Sequence, residues 1–405
     1  MLTFQDLPAP VQLMLLAART RLTAPEADQI QALNSGTSPF DWDHFLALTR
    51  HHRLSSLVFE SLEHIRPPNL PPSIHAKLQH RARHNAFEAL RATNELRRIT
   101  TIFTAAGIQV SVLKGVPLSY LLFGNPNSRH VGDIDILTQP TRLPEQIALL
   151  SQLGYEIVNP KSRLTPRRIA AYVQFWKDLT FQNRTTGFEL DLHWRLFNNR
   201  LHPANRLAAQ GQFQTVTVFA APMRVFSLQD QFLYIAAHGI FDSFTYLKSL
   251  VDVAAFLRIL TPQQIDHALL RARQLGLLAQ VSAAIHLCNL WMGSEIASPH
   301  LLPADDPLAR RIHHRTATLL LRQNFKPVRD FASPAQWLHL EIAIVPGLRS
   351  LAEIARRYLW RPRLWAAVDL PDRLFWCYPL LGLLTPPRRH TVEDDNPASK
   401  PSSTD

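Results

Sequence analysis

The stretch Gly132-Asp133-Ile134-Asp135-Ile136-Leu137 places two carboxylates two residues apart within a run of β-branched and apolar residues. Such a run predicts a β-strand, in which alternate side chains point to the same face. Asp133 and Asp135 would then stand together at the polar edge of the strand, an arrangement suited to binding a divalent cation. A solvated strand face is the alternative interpretation, because a lone Asp-x-Asp is a common pattern.

The residues before this stretch predict a strand, a turn and a helix. Residues 108–113 alternate as a strand would and run into Lys114-Gly115, after which Val116–Phe123 has helical spacing. The acidic strand is therefore preceded by a strand, a glycine turn and a helix, as expected in a mixed α/β core.

A second acidic strand is predicted downstream. Residues 188–194 alternate strictly, with Glu189, Asp191 and His193 on one face and apolar residues on the other. A helix over about residues 143–153 and strands at 155–158 and 178–182 are expected between the two acidic strands. The last of these strands is expected to pair with the Asp191 strand through the turn at 183–187.

These residues resemble the nucleotidyltransferases of the DNA-polymerase-β superfamily, and within it a bacterial group of nucleotidyltransferase-like proteins. The resemblance covers most of residues 1–390, with two departures: Val116 follows Gly115 where the wider superfamily has serine, and the gap from Gly115 to Asp133 is longer than usual. The stretches that carry it are Leu113-Lys114-Gly115, Arg129 with residues 132–137, Asp191-Leu192-His193-Trp194, Asp41-Trp42-Asp43, His51-His52-Arg53, His238-Gly239, residues 247–256 with Asp252, and Leu370-Pro371.

The resemblance implies an α+β fold with a small polymerase-β-type core and all-helical regions at both ends. It also implies a magnesium-dependent enzyme that transfers a nucleoside monophosphate from a nucleoside triphosphate to a hydroxyl of an unidentified acceptor. Charge develops on the attacking and leaving oxygens in this reaction, and two Mg²⁺ ions, or Mn²⁺ in their place, would stabilise both. Hard oxygen ligands suit magnesium, so carboxylates and substrate phosphates are sufficient to bind it.

In this interpretation Asp133 and Asp135 hold the metals, and Asp191 completes the acceptor-side site and helps the attacking hydroxyl to lose its proton. Glu189 lies on the same predicted strand face and is the alternative third carboxylate. His193 would orient the substrate or a carboxylate, or simply bond to the backbone at the strand end.

The resemblance also implies nucleotide-binding roles in the first turn and beyond it. Gly115 would let the backbone approach the phosphates, and Lys114 or Arg129 would neutralise them. Ordinary surface charge is the alternative for both basic residues. His238 and Asp252 lie in apolar helical settings, where structural hydrogen bonding is the favoured interpretation.

Length and composition predict several packed units, since 405 residues exceed the size of one hydrophobic core and 46% of them are hydrophobic. The C-terminal tail is rich in Pro, Ser, Thr and acidic residues, which predicts disorder. The expected regions are an N-terminal helical region over 1–96, the nucleotidyltransferase core over 97–222, a helical domain over 223–330, a C-terminal helical and aromatic segment over 331–385, and a disordered tail over 386–405.

Cysteine usage and the N-terminus favour a cytoplasmic protein. Only Cys288 and Cys377 are present, which does not support a disulfide framework, and the N-terminus lacks the features of a secretory signal. Residues 277–292 are too short and too polar to cross a bilayer and predict a buried helix. Residues 358–384 interleave arginines with aromatic residues; packing of the aromatics against the helical domain is favoured, and contact with an anionic membrane surface is the alternative.

The net charge of +11 indicates a phosphate-bearing partner without identifying it. Lys161, Arg163, Arg167 and Arg168 form a local basic group, but no zinc finger, helix-turn-helix or RNA-binding aromatic motif accompanies them. A nucleoside triphosphate is therefore the favoured partner, and a nucleic-acid acceptor is not.

Two other functions remain open at the level of sequence. Val116 in place of serine motivates a catalytically inactive nucleotidyltransferase fold that acts as a binding or scaffolding protein. A toxin-like enzyme that modifies tRNA or a protein would use the same carboxylates and differ only in its acceptor.

Overall fold

Seven strands of the described residues form two sheets. The computed structural model describes residues 2–20, 22–33, 40–321 and 334–385, so the predicted disordered tail at 386–405 lies outside the described residues. The strands are β1 Ser111–Val112, β2 Ile134–Leu137, β3 Tyr155–Asn159, β4 Asp178–Asn183, β5 Glu189–His193, β6 Phe213–Val218 and β7 Ala221–Phe226.

Helices make up most of the rest of the described chain, together with short 3-10 turns at Phe4–Asp6, Pro140–Arg142 and Asp372–Cys377. In chain order the helices are α1 Ala9–Ala17, α2 Ala24–Leu33, α3 Trp42–His51, α4 Ser55–Ile65, α5 Pro72–Ala105, α6 Val116–Phe123, α7 Leu143–Gln152, α8 Pro166–Phe175, α9 Asn205–Gln210, α10 Leu228–Phe241, α11 Lys248–Ile259, α12 Pro262–Leu275, α13 Leu278–Met292, α14 Pro307–Leu320, α15 Pro334–Ile344, α16 Leu348–Leu359, α17 Pro362–Ala367 and α18 Tyr378–Leu384.

The chain divides into two compact units. Among the described residues, the helical unit comprises 2–20, 22–33, 40–97, 112–132 and 210–321, and the sheet unit comprises 98–111, 133–209 and 334–385. The expected α+β class with helical regions around a mixed sheet is confirmed.

The five-stranded sheet has the order β1-β2-β5-β4-β3. Strands β2 and β5 are parallel, whereas β4 pairs antiparallel with both β5 and β3. The apolar alternation explains this placement, because Ile136, Leu190 and Leu192 are fully buried at the centre of the sheet. The predicted hairpin between the strand at 178–182 and the Asp191 strand is confirmed.

The C-terminal residues of the sheet unit pack on α8. Arg168 of α8 is buried, and its guanidinium donates to Asp369 Oδ1 at 2.6 Å and to the Leu370 carbonyl at 2.9 Å. Trp365 and Tyr378 are fully buried, and Trp365 packs edge-on to Tyr172 of α8. The aromatic residues were predicted to pack against the helical domain, and this is wrong: Trp360 and Trp365 pack on α8 of the sheet unit, and Trp376 is exposed.

The core of the helical unit is centred on α13, which packs against α10, α11, α12 and α14. Its Val281, Ile285 and Trp291 have no exposed surface, which confirms the buried helix predicted at 277–292. Among the described residues, no helix has the length and apolar character that a bilayer crossing requires.

Gly239 in α10 permits a close approach within the helical unit. After α10 the chain turns back through Ser243 and Phe244, both at positive φ. A Cβ on Gly239 would lie 2.2 Å from Cε1 of Phe244. The His238-Gly239 pair in the sequence therefore includes a packing requirement, because only glycine leaves room for this ring.

Candidate metal centre and phosphate-binding residues

Strand register sets the acidic residues of the sheet unit side by side. In the parallel β2–β5 pair, Asp135 lies opposite Asp191. In the antiparallel β4–β5 pair, Thr180 lies opposite Asp191 and Asp178 opposite His193. Because alternate residues share a face, these side chains gather on one side of the sheet.

Asp135, Asp191 and His193 form the cluster that we call the Asp–Asp–His cluster. One ligand atom from each residue lies within 4.8 Å of the other two. His193 Nε2 is 3.0 Å from Asp135 Oδ1, and its Nδ1 is 3.5 Å from Asp178 Oδ2. The His193 and Asp135 side chains are 3% and 11% exposed, so these contacts are largely shielded from water.

Asp133 precedes β2 and is exposed, whereas Glu189 begins β5 and is buried. Burial, followed by the negative charges of Asp133 and Asp135, raises the pKa of Glu189 to about 7. Asp133 therefore lies within electrostatic reach of the other carboxylates, at the solvent-facing side of the group.

Around the Asp–Asp–His cluster there are more carboxylate oxygens than hydrogen-bond donors to pair with them. Asp191 Oδ1 and Glu189 Oε2 are buried and make no hydrogen bond among the described residues. Burial, then the charges of Asp178, Asp135 and Asp133, raise the pKa of Asp191 well above its ordinary value. A buried acceptor oxygen without a donor is costly, and a bound cation would supply the missing positive charge.

Lys177 and Asp178 belong to this electrostatic group, although the sequence did not single them out. Lys177 donates to Asp178, and burial alone would lower the Lys177 pKa, but Asp178, Asp191 and Asp135 outweigh it and raise the pKa. Burial opposes ionisation of Asp178, yet Lys177 and His193 hold its pKa below the ordinary value. The signal available in the sequence is that Asp178 alternates with Thr180, but the hairpin register was needed to set Asp178 against His193.

In the helical unit, Gly115 and Lys114 lie at the start of α6. Gly115 is the N-cap residue, with φ of 73°, a conformation that favours glycine. Lys114 Nζ is 2.8 Å from His238 Nε2 and 5.5 Å from the centre of the Tyr234 ring. His238 Nδ1 is in turn 3.1 Å from Asp242 Oδ2. An Asp–His–Lys chain therefore holds the Lys114 ammonium.

Arg129 forms a buried ion pair within the helical unit. Its Nε lies 2.9 Å from Asp252 Oδ2, with side chains 6% and 1% exposed. The Arg129 backbone N–H donates to Ser119, and its carbonyl accepts from Asn85. Asp252 therefore makes the structural hydrogen bond expected for it. Arg129 is paired with this carboxylate, and its contact with phosphate stays a prediction.

A mixed sheet that gathers buried carboxylates on one face is typical of proteins that bind a hard cation, through which a phosphate could also be held. Residues 38–293 match the family described as uncharacterised nucleotidyltransferase, and the chain belongs to that family. This family and the fold support nucleotidyl transfer as the type of function.

The crystal structure of an antigenic nucleotidyltransferase-like protein from Paracoccidioides brasiliensis is similar at 14% sequence identity, covering 47% of this chain and 90% of that chain with a TM-score of 0.30. A similarity this low carries no argument about fold or function. The comparison with curated proteins found no relative that matches the chain.

Proposed function

We propose that the protein is a magnesium-dependent nucleotidyltransferase that transfers a nucleoside monophosphate from a nucleoside triphosphate to a hydroxyl of an acceptor. The observation that carries the proposal is the β2–β5 register, which sets Asp135 beside Asp191 in a buried group with more carboxylate charge than its donors match. Family membership supports the type of reaction.

The donor set of the sheet unit fits a hard divalent cation. Asp135 and Asp191 offer carboxylate oxygens, the Asp191 Oδ1 atom has no other partner among the described residues, and Asp133 lies nearby. In this proposal Asp133, Asp135 and Asp191 hold Mg²⁺, with Mn²⁺ as a substitute. The bound ions would neutralise charge on the attacking and leaving oxygens.

The protein's own residues supply orientation and a proton acceptor. His193 contacts Asp135 through Nε2 and Asp178 through Nδ1, so its ring holds Asp135 in one orientation. Asp191 would help the acceptor hydroxyl to lose its proton, since its carboxylate stands beside Asp135 in the β2–β5 pair. Lys177 compensates the charge of Asp178, which leaves Asp135 and Asp191 for the chemistry.

The residues that start α6 are proposed to bind phosphate oxygens. Gly115 has no Cβ to obstruct a ligand, and nothing lies within 4 Å of where one would be. The Lys114 ammonium is oriented by His238 and would neutralise a phosphate. Val116 is buried in the first turn of α6, so binding there would use backbone N–H groups and not a serine hydroxyl.

A catalytically inactive, nucleotide-binding role is the second candidate. The observation that favours it is that His193 and Lys177 already face the carboxylates, through Asp135 and Asp178. In such a protein these internal partners would take the place of the metal, and the fold would serve as a binding or scaffolding module.

Pyrophosphate release distinguishes the two candidates. The purified protein is incubated with each nucleoside triphosphate, Mg²⁺ or Mn²⁺, and a panel of hydroxyl-bearing acceptors that includes proteins and tRNA. Metal-dependent release that disappears in Asp135→Asn supports the enzyme. Nucleotide binding by calorimetry without any release, unchanged in Asp135→Asn, supports the inactive binding protein and contradicts the enzyme.

A further inference from the structure

A group of basic side chains gathers in the helical unit around His130. Arg53, Lys248 and His84 lie within electrostatic reach of His130, as does Arg129. We call Arg53, His84, His130 and Lys248 the cationic cluster. Each member comes from a different part of the chain: Arg53 follows α3, His84 lies in α5, His130 precedes Gly132, and Lys248 begins α11.

The two arginines of this region differ in their partners. Arg129 is matched by Asp252 in the buried ion pair. Among the described residues, no carboxylate forms an ion pair with Arg53, whose guanidinium lies 4.5 Å from the centre of the Tyr246 ring. Burial of the imidazole, then the positive charges of Lys248, Arg53, Arg129 and His84, lower the pKa of His130 well below its ordinary value, while the residue as a whole is exposed. The positive potential is therefore accessible to a ligand.

Arg53 occupies a position where glycine would be the less strained residue. It follows the C-cap of α3 at φ of 59°, and the Leu54 N–H donates back to the Thr49 carbonyl at 2.9 Å. This is the helix-ending arrangement in which glycine is preferred. An arginine at this position does not stabilise the turn. Its guanidinium instead lies over the Tyr246 ring and beside Gly132, 3.9 Å from where a Cβ on Gly132 would stand.

The start of α11 adds main-chain donors to the cluster. No side chain caps the first turn of this 12-residue helix, and that turn contains no acidic residue. Leu247, at the N-cap, is tied to the segment before Arg53 because its N–H donates to His52 Nδ1 at 3.4 Å. A helix N-terminus that opens with lysine favours an anion.

We propose that the cationic cluster is a phosphate-binding site of the helical unit, with Arg53 as its principal ligand. A phosphate group suits it better than a carboxylate, because Arg53 and Lys248 supply two positive charges beside two imidazole rings, and a planar guanidinium bonds two phosphate oxygens. The source that we assign is the polyphosphate of the nucleotide, and this assignment alone rests on the proposed function. Free inorganic phosphate is the other source of the same chemistry.

Calorimetry with inorganic pyrophosphate tests the site. The full chain is titrated at low ionic strength in the presence of a chelator, so that no metal contributes to binding. Wild-type protein is expected to bind pyrophosphate, and Arg53→Gly to lose about tenfold or more in affinity. Arg273→Met is the matched control, since Arg273 is an exposed arginine of α12 in the same unit and its loss should leave the affinity within about twofold.

The choice of glycine at position 53 separates ligand binding from folding. Arg53→Gly relieves the positive φ, so its melting temperature should equal or exceed that of the wild type while its phosphate affinity falls. Lys248→Met should also weaken binding. No binding by the wild type, or equal losses in Arg53→Gly and Arg273→Met, would overturn the proposal.

Two further titrations identify the source of the phosphate. If Arg53→Gly weakens ATP and pyrophosphate but leaves orthophosphate unchanged, the site takes the nucleotide's polyphosphate. If orthophosphate binds as tightly as pyrophosphate and is weakened equally, the site takes a free phosphate. Pyrophosphate binding in a protein that shows no metal-dependent turnover would count against the proposed function and leave this site intact.

Discussion

His193 lies between two carboxylates, and this position determines what the ring can do. Its Nε2 is hydrogen-bonded to Asp135 at 3.0 Å, and its Nδ1 lies 3.5 Å from Asp178 without a hydrogen bond. The ring of a histidine held in this way orients its carboxylate partner, as is common beside metal sites. A role in holding Asp135 therefore accounts for its position without direct contact with a nucleotide.

Amide substitutions at Asp191 and at Glu189 test which of these residues is the third carboxylate of the metal site. We expect Asp191→Asn to reduce the turnover number at least about a hundredfold, because the variant loses both a metal ligand and a proton acceptor. Glu189→Gln has the same change in charge on the same strand face and should stay within about fivefold of the wild type. Steady-state pyrophosphate release measures both; the reverse order would assign the role to Glu189.

The Asp242–His238–Lys114 chain makes a prediction about nucleotide affinity. His238→Ala should raise the dissociation constant for a nucleoside triphosphate by about five- to tenfold, because the Lys114 ammonium loses its orientation. His238→Gln, which can still accept from Lys114, should restore much of the affinity.

A double-mutant cycle checks that His238 acts through Lys114. In a Lys114→Met background, His238→Ala should have no further effect on triphosphate affinity, measured by calorimetry. Additive losses would show that the two residues act independently and would contradict this role for His238.

At the scale of elements, the end of α10 depends on a glycine. We expect Gly239→Ala to lower the free energy of unfolding by about 1–3 kcal/mol, because its Cβ would lie 2.2 Å from the Phe244 ring. Gly132→Ala is the control, since the nearest atom to its Cβ would be 3.9 Å away. Urea denaturation measures both, and equal stability of the two variants would show that Phe244 moves aside.

The polar face of β5 makes the stability of the metal-free protein depend on pH. The pKa of Glu189 is raised from 4.5 to about 7, so the native state holds this proton more tightly than the unfolded state. The contribution of Glu189 to stability is then fully present below pH 4.5 and is lost as the pH rises from 4.5 through 7, a total of about 3 kcal/mol. Chelated protein followed by thermal denaturation should show this fall, and Glu189→Gln should reduce it; an unchanged slope in that variant would contradict the assignment.

Strands and helices with strong periodicity were predictable, and contacts that depend on register were not. Residues Val116–Phe123 form a helix with the predicted bounds, and the helix predicted over about 143–153 is Leu143–Gln152. The strand predicted at 108–113 is only Ser111–Val112, because α5 continues to Ala105 and the chain then turns at Gly107. Strand β7 was not predicted, since Pro222 is uncommon within a strand and suits only an edge.

The residues of the candidate site on β5 were predictable from their alternation, whereas the contacts that they make across the sheet were not. Period-2 alternation placed Glu189, Asp191 and His193 on one face before any pairing was known. The roles of Asp178 and Lys177 depend on the register of the β4–β5 hairpin. A shift of one residue would move Asp178 to the other face of the sheet, so the local sequence pattern alone does not predict its contact with His193. The partner of Arg129 is Asp252, 123 residues later in the chain.

At the scale of the whole molecule, the net charge of +11 coexists with a concentrated group of carboxylates in the sheet unit. A divalent cation that binds only the native state should therefore stabilise the protein. At tenfold excess over its dissociation constant, Mg²⁺ is expected to add about 1.4 kcal/mol to the free energy of unfolding. The increase should be larger at pH 8 than at pH 5, where protons compete for the carboxylates, and should vanish in the Asp135→Asn, Asp191→Asn double variant; an equal increase in that variant would place the ion elsewhere.

The most direct test of the central claim is a crystal structure with Mn²⁺ and a non-hydrolysable nucleoside triphosphate, with the metal located by its anomalous scattering. The account predicts manganese within about 2.0–2.3 Å of oxygens of both Asp135 and Asp191, and bonded to the phosphates of the nucleotide. Nucleotide bound with no manganese at these carboxylates, and with His193 and Lys177 still facing them, would contradict it.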